Sequence, residues 1–241
     1  MVENGHPLPA GGMTPHRAFE IIGIATFASL ELWLVVRLAH ATSSEAAALT
    51  LLMAALVGYV AADFGSGMAH WLFDRYGTEQ TPVVGQNFIK PFREHHVDPK
   101  GMTLHDFVET NGNNCIATAP IVAMGLTADL TTLHGIFAAT FCASISLFVF
   151  GTNQFHKWSH EDRLPGWVQG LQRAHIILGV KHHDVHHTAP FDRYYCITSG
   201  MLNPLLTRIQ FFPRLESLIF RVTGVRAGQS DAAYVATRNA S

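Results

Sequence analysis

Four apolar stretches constrain this chain more than any other feature, because each needs a place away from water. The first, "RAFEIIGIATFASLELWLVVR" (Arg17–Arg37), has about the length that crosses a hydrocarbon core of roughly 30 Å as a helix. Glu20 in it can sit at the interface. Glu31 would lie well inside, where an ionisable group is expected to face other helices rather than lipid. "AAALTLLMAALVGYVAA" (Ala46–Ala62) and "GIFAATFCASISLFVFG" (Gly135–Gly151) are cleaner spans, whereas "CIATAPIVAMGLTA" (Cys115–Ala128) is short and contains Pro120. Only 14% of the residues are charged, against roughly 25% in an ordinary soluble domain. The expected fold class is therefore an all-α integral membrane protein with about four transmembrane helices.

The cationic residues give these spans a sidedness. Arg75, Lys90, Arg93 and Lys100 fall between the second and third spans, ten more run from Lys157 to Arg238, and the loop 129–134 carries none. Short loops rich in Lys and Arg stay in the cytoplasm, so both basic regions are expected on the cytosolic face, with both termini there too. Cys115, Cys142 and Cys196 form no close pair, which argues against a disulfide framework or a thiolate zinc site. Residues 1–16 are polar and rich in Gly and Pro, without a signal-peptide pattern, and read as a disordered tail. The expected organisation is that tail, a membrane domain over 17–224 and a flexible end over 225–241.

Fifteen histidines are an excess for such a chain, and most gather on the face that carries the cations. His70 follows the second span, His95, His96 and His105 occupy the loop after it, and His156 and His160 follow the fourth. "HHDVHH" (182–187) lies just beyond, so a cytosolic, histidine-rich helical cap is expected. His6, His16, His40 and His134 stand outside this clustering. "LQRAHIILGVK" (171–181) reads as an amphipathic interfacial helix, with His175 a packing residue or a substrate contact.

Successive helical residues are about 100° apart, so positions i and i+4 share a face and can share a metal. His70 with Asp74 and His156 with His160 have that spacing. If helical, the four histidines of "HHDVHH" would occupy one arc of less than half the circumference. Asp63 shares a face with His70 but lies two turns deeper, too far along the axis to bind the same ion as Asp74, which suits a residue that supports a ligand or handles protons. About eight imidazoles exceed the three or four ligands of one zinc. Two first-row metal ions fit the number, and imidazole alone does not choose between iron and zinc.

His183-Asp184-Val185-His186-His187 is an H-x-x-H-H sequence that resembles the last histidine box of membrane acyl desaturases and hydroxylases. The companion boxes depart from the standard form, since "PFREHH" has Phe92 where a histidine would stand. Together, "ADFGSGMAHWLFD", "FIKPFREHHVDPKGMTLHDFVETNGNN", "TNQFHKWSH" and "KHHDVHHTAPFDRYYCITSGMLNP" look like the Kua family, whose characterised animal and bacterial members are plasmanylethanolamine desaturases. The likeness covers about Ala62 to Pro204. It implies a membrane di-iron enzyme that consumes O2 and two electrons and forms the vinyl ether double bond of plasmalogens. It also implies His70, His95, His96, His156, His160, His183, His186 and His187 as iron ligands, with Asp74 and His182 as further ones. His105, Asn111 and Asn114 are implied as residues that hold ligands or waters.

No flavin or nicotinamide fingerprint is present, so the electrons are expected from a separate donor, a b-type cytochrome or a ferredoxin with its reductase. Arg93, Lys157, Lys181 and Arg193 are candidates to meet a lipid phosphate. Plant members of the same family desaturate an acyl chain of phosphatidylglycerol, which keeps an acyl-lipid desaturase as the nearest alternative. A membrane zinc hydrolase and a metal-binding or transport protein are more distant ones. The expected location is a bacterial inner membrane.

Overall fold

The structure, a computed structural model, describes residues 13–41 and 44–228, together with a two-residue backbone pairing of Val2–Glu3 with His6–Pro7. Apart from that pairing, the described residues are helix and loop. Most of the expected terminal tails lie outside them, and Pro15 and His16 already belong to the first helix. The chain forms two compact units, one of residues up to Ala62 with Leu104–Gln154, the other of Asp63–Thr103 with residues from Phe155 onward.

Four helical segments make the first unit: α1 (Pro15–Ala41), the first part of α2 (Glu45–Arg75), α4 (Phe107–Leu126) and most of α5 (Leu133–His160). On α1 the buried residues are Glu20, Gly23, Phe27, Glu31, Leu34 and Leu38, a stripe at spacings of three and four that marks one helix face. Phe27, Leu34 and Leu38 join Ala47 of α2, Cys115 and Val122 of α4, and Ile136, Ala139 and Ala143 of α5 in one core.

Small residues let these helices approach closely. A Cβ on Gly58 of α2 would stand 2.7 Å from Ser144 Cβ of α5, and Ser144 Oγ donates to the Ala55 carbonyl at 2.7 Å. Gly112 of α4 faces Glu20, and Gly23 of α1 faces Ile116. Asp106 caps α4 by accepting from the N–H groups of Val108 and Glu109 at 2.9 and 3.1 Å. Its other oxygen accepts from Arg17 at 2.6 Å.

Among the described residues three helices, α1, α2 and α5, are long and apolar enough to cross a membrane. α4 covers the expected third span as one continuous helix through Pro120, but its first two turns carry Glu109, Asn111, Asn113 and Asn114.

The second unit contains the last turns of α2 and α5, α3 (Lys90–Val97) and the chain beyond Glu161: α6 (Gly166–Arg173), α7 (Val180–His183), α8 (Asn203–Arg208) and α9 (Phe211–Thr223). A π-turn, Gly85–Ile89, leads into α3. Trp71, Tyr195, Cys196, Leu206 and Phe212 form the core. The helix expected over 171–181 is not continuous. α6 ends at Arg173, and His175 takes a left-handed φ of 55° that breaks the helix.

Candidate metal centre

Among the described residues, two groups of metal-ligating side chains form in this second unit. His95, His156, His160, His183 and His187 make one, and His70, Asp74, His96 and His186 the other. Within each group the offered ligand atoms all lie within 4.8 Å of one another.

Local structure explains how each residue arrives. His70 and Asp74 are one turn apart on α2, and His156 and His160 one turn apart on α5. The doublets divide: His95 joins the first group and its neighbour His96 the second, and His187 and His186 divide in the same way. Adjacent residues on a helical turn point about 100° apart, so each doublet borders both groups. The groups consequently stand side by side, with the His96 and His187 rings 5.2 Å apart between centroids.

α7 ends at His183, and the chain continues as a tight turn in which His186 and His187 donate their N–H groups to the His183 carbonyl at 2.9 and 3.2 Å. Three of the four "HHDVHH" histidines thereby face the groups. His182 stands outside both, its Nε2 at 3.2 Å from Asn203 Nδ2 and its ring 4.8 Å from that of Tyr194.

The ring nitrogens converge more tightly than ordinary packing requires. His156 Nε2 lies 2.8 Å and His187 Nε2 3.0 Å from His183 Nε2, and His96 Nε2 lies 2.8 Å from His186 Nε2. The buried nitrogens His70 Nε2, His95 Nε2, His160 Nε2 and His183 Nδ1 have no hydrogen-bond partner among the described residues. Burial, reinforced by neighbouring imidazoles, holds His95, His183, His186 and His187 well below the usual imidazole range. These rings are neutral at neutral pH, with lone pairs available, which is the form a metal binds. Nitrogens bonded to one ion at about 2.1 Å cannot be more than about 4.2 Å apart, close to the spread observed. The donor set fits a pair of metal ions.

Backbone carbonyls orient two members of the second group. His70 Nδ1 donates to the Tyr195 carbonyl at 3.1 Å and His186 Nδ1 to the Arg193 carbonyl at 2.8 Å. A carbonyl only accepts, so each Nδ1 carries the proton and each Nε2 presents its lone pair inward. Asp74 is fully buried, with Oδ2 at 3.4 Å from His70 Nε2 and 3.7 Å from His186 Nε2. A carboxylate in that position calls for positive charge beside it.

The remaining sequence-predicted residues have other surroundings. Asp63 accepts from the backbone N–H groups of Ser199 and Gly200, both at 2.8 Å, and of Leu202 at 3.2 Å, so it anchors the segment after Tyr195. Asn111 donates to Gln154 Oε1 at 3.2 Å and Asn114 to the Val149 carbonyl at 2.8 Å, both tying α4 to α5. His105 lies 3.6 Å from Glu109. Phe92, at the position where a third histidine of the box was missing, packs edge-on against the His70 ring at 5.3 Å. Arg93 donates to the carbonyls of Asp74 and Gly77 at 3.3 and 3.1 Å, and Lys157 pairs with Glu161 at 3.7 Å.

Residues 59–230 match the lipid desaturase domain family. The chain belongs to that family. This lipid desaturase is 47% identical over 230 residues to plasmanylethanolamine desaturase of Myxococcus xanthus, covering 95% of this chain and 81% of the relative. It is 45% identical over 188 residues to plasmanylethanolamine desaturase 1 of Mus musculus, covering 75% and 69%. Fatty acid desaturase 4, chloroplastic, of Arabidopsis thaliana is 36% identical over 177 residues, covering 72% of this chain and 53% of the relative. No solved structure matches. The protein is thus an oxidoreductase, a desaturase acting at a membrane.

Proposed function

We propose that this lipid desaturase is a di-iron enzyme that forms the vinyl ether double bond of a plasmanyl phospholipid, in keeping with the activity that names its bacterial and mouse relatives. The observation that carries the reading is the pair of adjacent donor groups, one of five imidazoles and one of three imidazoles with a carboxylate. The first group alone has more nitrogen donors than a zinc ion takes. Bound in the two groups, two irons would supply an oxidant, drawn from O2 and two electrons, able to take hydrogen from unactivated alkyl carbons. The balance is one CH2–CH2 unit, O2, two electrons and two protons going to one CH=CH unit and two waters.

The chain's own part is positioning and exclusion. His70, Asp74, His96 and His186 would hold one ion, and His95, His156, His160, His183 and His187 the other. The Tyr195 and Arg193 carbonyls keep two of the rings turned inward, and near-complete burial of His70, Asp74, His183 and His186 keeps water from the centre. Electrons would come from a separate donor protein. Four spans, with α4 the third, would put both termini and the histidine-rich end in the cytoplasm of a bacterial cell.

Lipid mass spectrometry tests this in ether-lipid-containing cells that lack their own desaturase, with and without the chain. An acid-labile vinyl ether that depends on O2 and disappears in His186→Ala is the expected result. If expressed, iron-loaded protein with a competent donor left ether lipids untouched and altered an acyl chain, an acyl-lipid desaturase would replace this reading.

A further inference from the structure

The α8–α9 segment carries a charge pattern that the desaturase chemistry does not use. Between Pro204 and Arg226 the charged residues are Arg208, Arg214, Glu216, Arg221 and Arg226. Glu216, the one acid, is turned inward: it accepts from Trp71 Nε1 at 3.0 Å and from Arg75 at 2.8 and 3.2 Å. The arginines at 208, 214, 221 and 226 are exposed.

On α9, Phe212, Leu215 and Ile219 pack against the unit's core. Arg214, Leu218, Arg221 and Val222 fall at i, i+4, i+7 and i+8, a single stripe about 100° wide on the flank of the helix beside that core face. Leu218 is 49% and Val222 76% exposed. Leu205 and Ile209 nearby are also exposed. Exposed aliphatic side chains interleaved with arginines, and with no free acid between them, suit the boundary between lipid tails and anionic head groups.

The helix on which α9 is docked reaches the same level. α2 is 31 residues long, about 46 Å, and a hydrocarbon core takes about 20 residues of it. Counting from its apolar start, Trp71 and Arg75, which hold Glu216, come one to three turns beyond the core, where head groups lie.

We propose that α8 and α9 lie in the membrane surface, with Leu218 and Val222 dipping into the acyl boundary and Arg208, Arg214 and Arg221 holding anionic phospholipid head groups. This surface is separate from the metal groups and does not depend on the reaction assigned to them.

Spin labels on the full chain in lipid nanodiscs test the depth. Cys115, Cys142 and Cys196 are buried, so a label on Leu218→Cys or Ser217→Cys reports the introduced site against the unsubstituted protein. The label at 218 should be relaxed more by oxygen, and the label at 217, about 100° around the helix, more by a water-soluble nickel complex. Nickel access at both positions, or spin–spin broadening between two copies, would overturn the proposal, the latter in favour of a dimer contact. Native mass spectrometry tests the charge: Arg208→Gln, Arg214→Gln and Arg221→Gln should each weaken phosphatidylglycerol binding about fivefold and leave phosphatidylcholine binding unchanged. Unchanged phosphatidylglycerol binding in the triple variant would overturn the head-group assignment.

Discussion

The Nε2 atoms of His96 and His186 stand 2.8 Å apart, one brought by α3 and the other by the turn after α7. Two imidazole nitrogens this close need a proton or a cation between them, and the same holds for His156 and His183 at 2.8 Å. His186→Ala should therefore remove a donor from the carboxylate-containing group alone. Product formation is expected to fall by more than about 100-fold, with the protein still in the membrane fraction and less iron per chain. Near-normal product from this variant would rule out a ligand role for His186.

Asp63 works at one remove. Its carboxylate holds three backbone N–H groups of the segment that follows Tyr195, and the Tyr195 carbonyl in turn orients His70. Asp63→Ala leaves buried donors unmet, at a cost of about 1–3 kcal/mol each, and should lower the thermal midpoint markedly. Asp63→Asn retains one acceptor oxygen and should fall between the two. Equal midpoints for all three proteins would contradict the anchoring role.

Gly67 meets the same segment from α2. A Cβ there would lie 2.5 Å from Cys196 Sγ and 3.1 Å from Cys196 N, so Gly67→Ala must displace the backbone next to Tyr195. An overpacking cost of about 1–3 kcal/mol is expected, together with weaker metal retention in the group containing His70. Metal titration of the variant against the unsubstituted protein checks this, and identical retention would show that the segment yields without moving the Tyr195 carbonyl.

Acid should destabilise the metal-free protein. His95, His183, His186 and His187 are held below the usual imidazole range by burial among other imidazoles. The unfolded chain takes up protons on these rings as the pH falls through about 6.5, while the folded chain stays neutral. The stabilisation is thus fully present above that pH and is lost progressively below it. Denaturant titrations at about pH 7.5 and about pH 5.5 should give a lower midpoint at the acid pH, and equal midpoints would contradict burial of neutral rings.

Much of the centre was legible in the sequence because its signals are local. The i, i+4 pairs His70/Asp74 and His156/His160 keep their helical register, and the apolar stretches become helices that place those pairs near helix ends. His182 was not separable from its neighbours, because an arc calculated for a continuous helix does not hold where α7 stops at His183. The division of His95 from His96 depends on which elements pack on either side of α3, and no spacing records that. The Tyr195 and Arg193 carbonyls leave no trace either, since every residue carries one. Asp63 was recognised as a residue of interest, but its partners are backbone N–H groups more than 130 positions away.

Iron content of the purified full chain, reconstituted without oxygen and read by elemental analysis and Mössbauer spectroscopy, tests the two adjacent donor groups most directly. Two irons per chain are expected, in two distinguishable nitrogen-rich environments, one of them lost in His186→Ala. A single metal per chain, or two that both survive that substitution, would contradict the two-group centre.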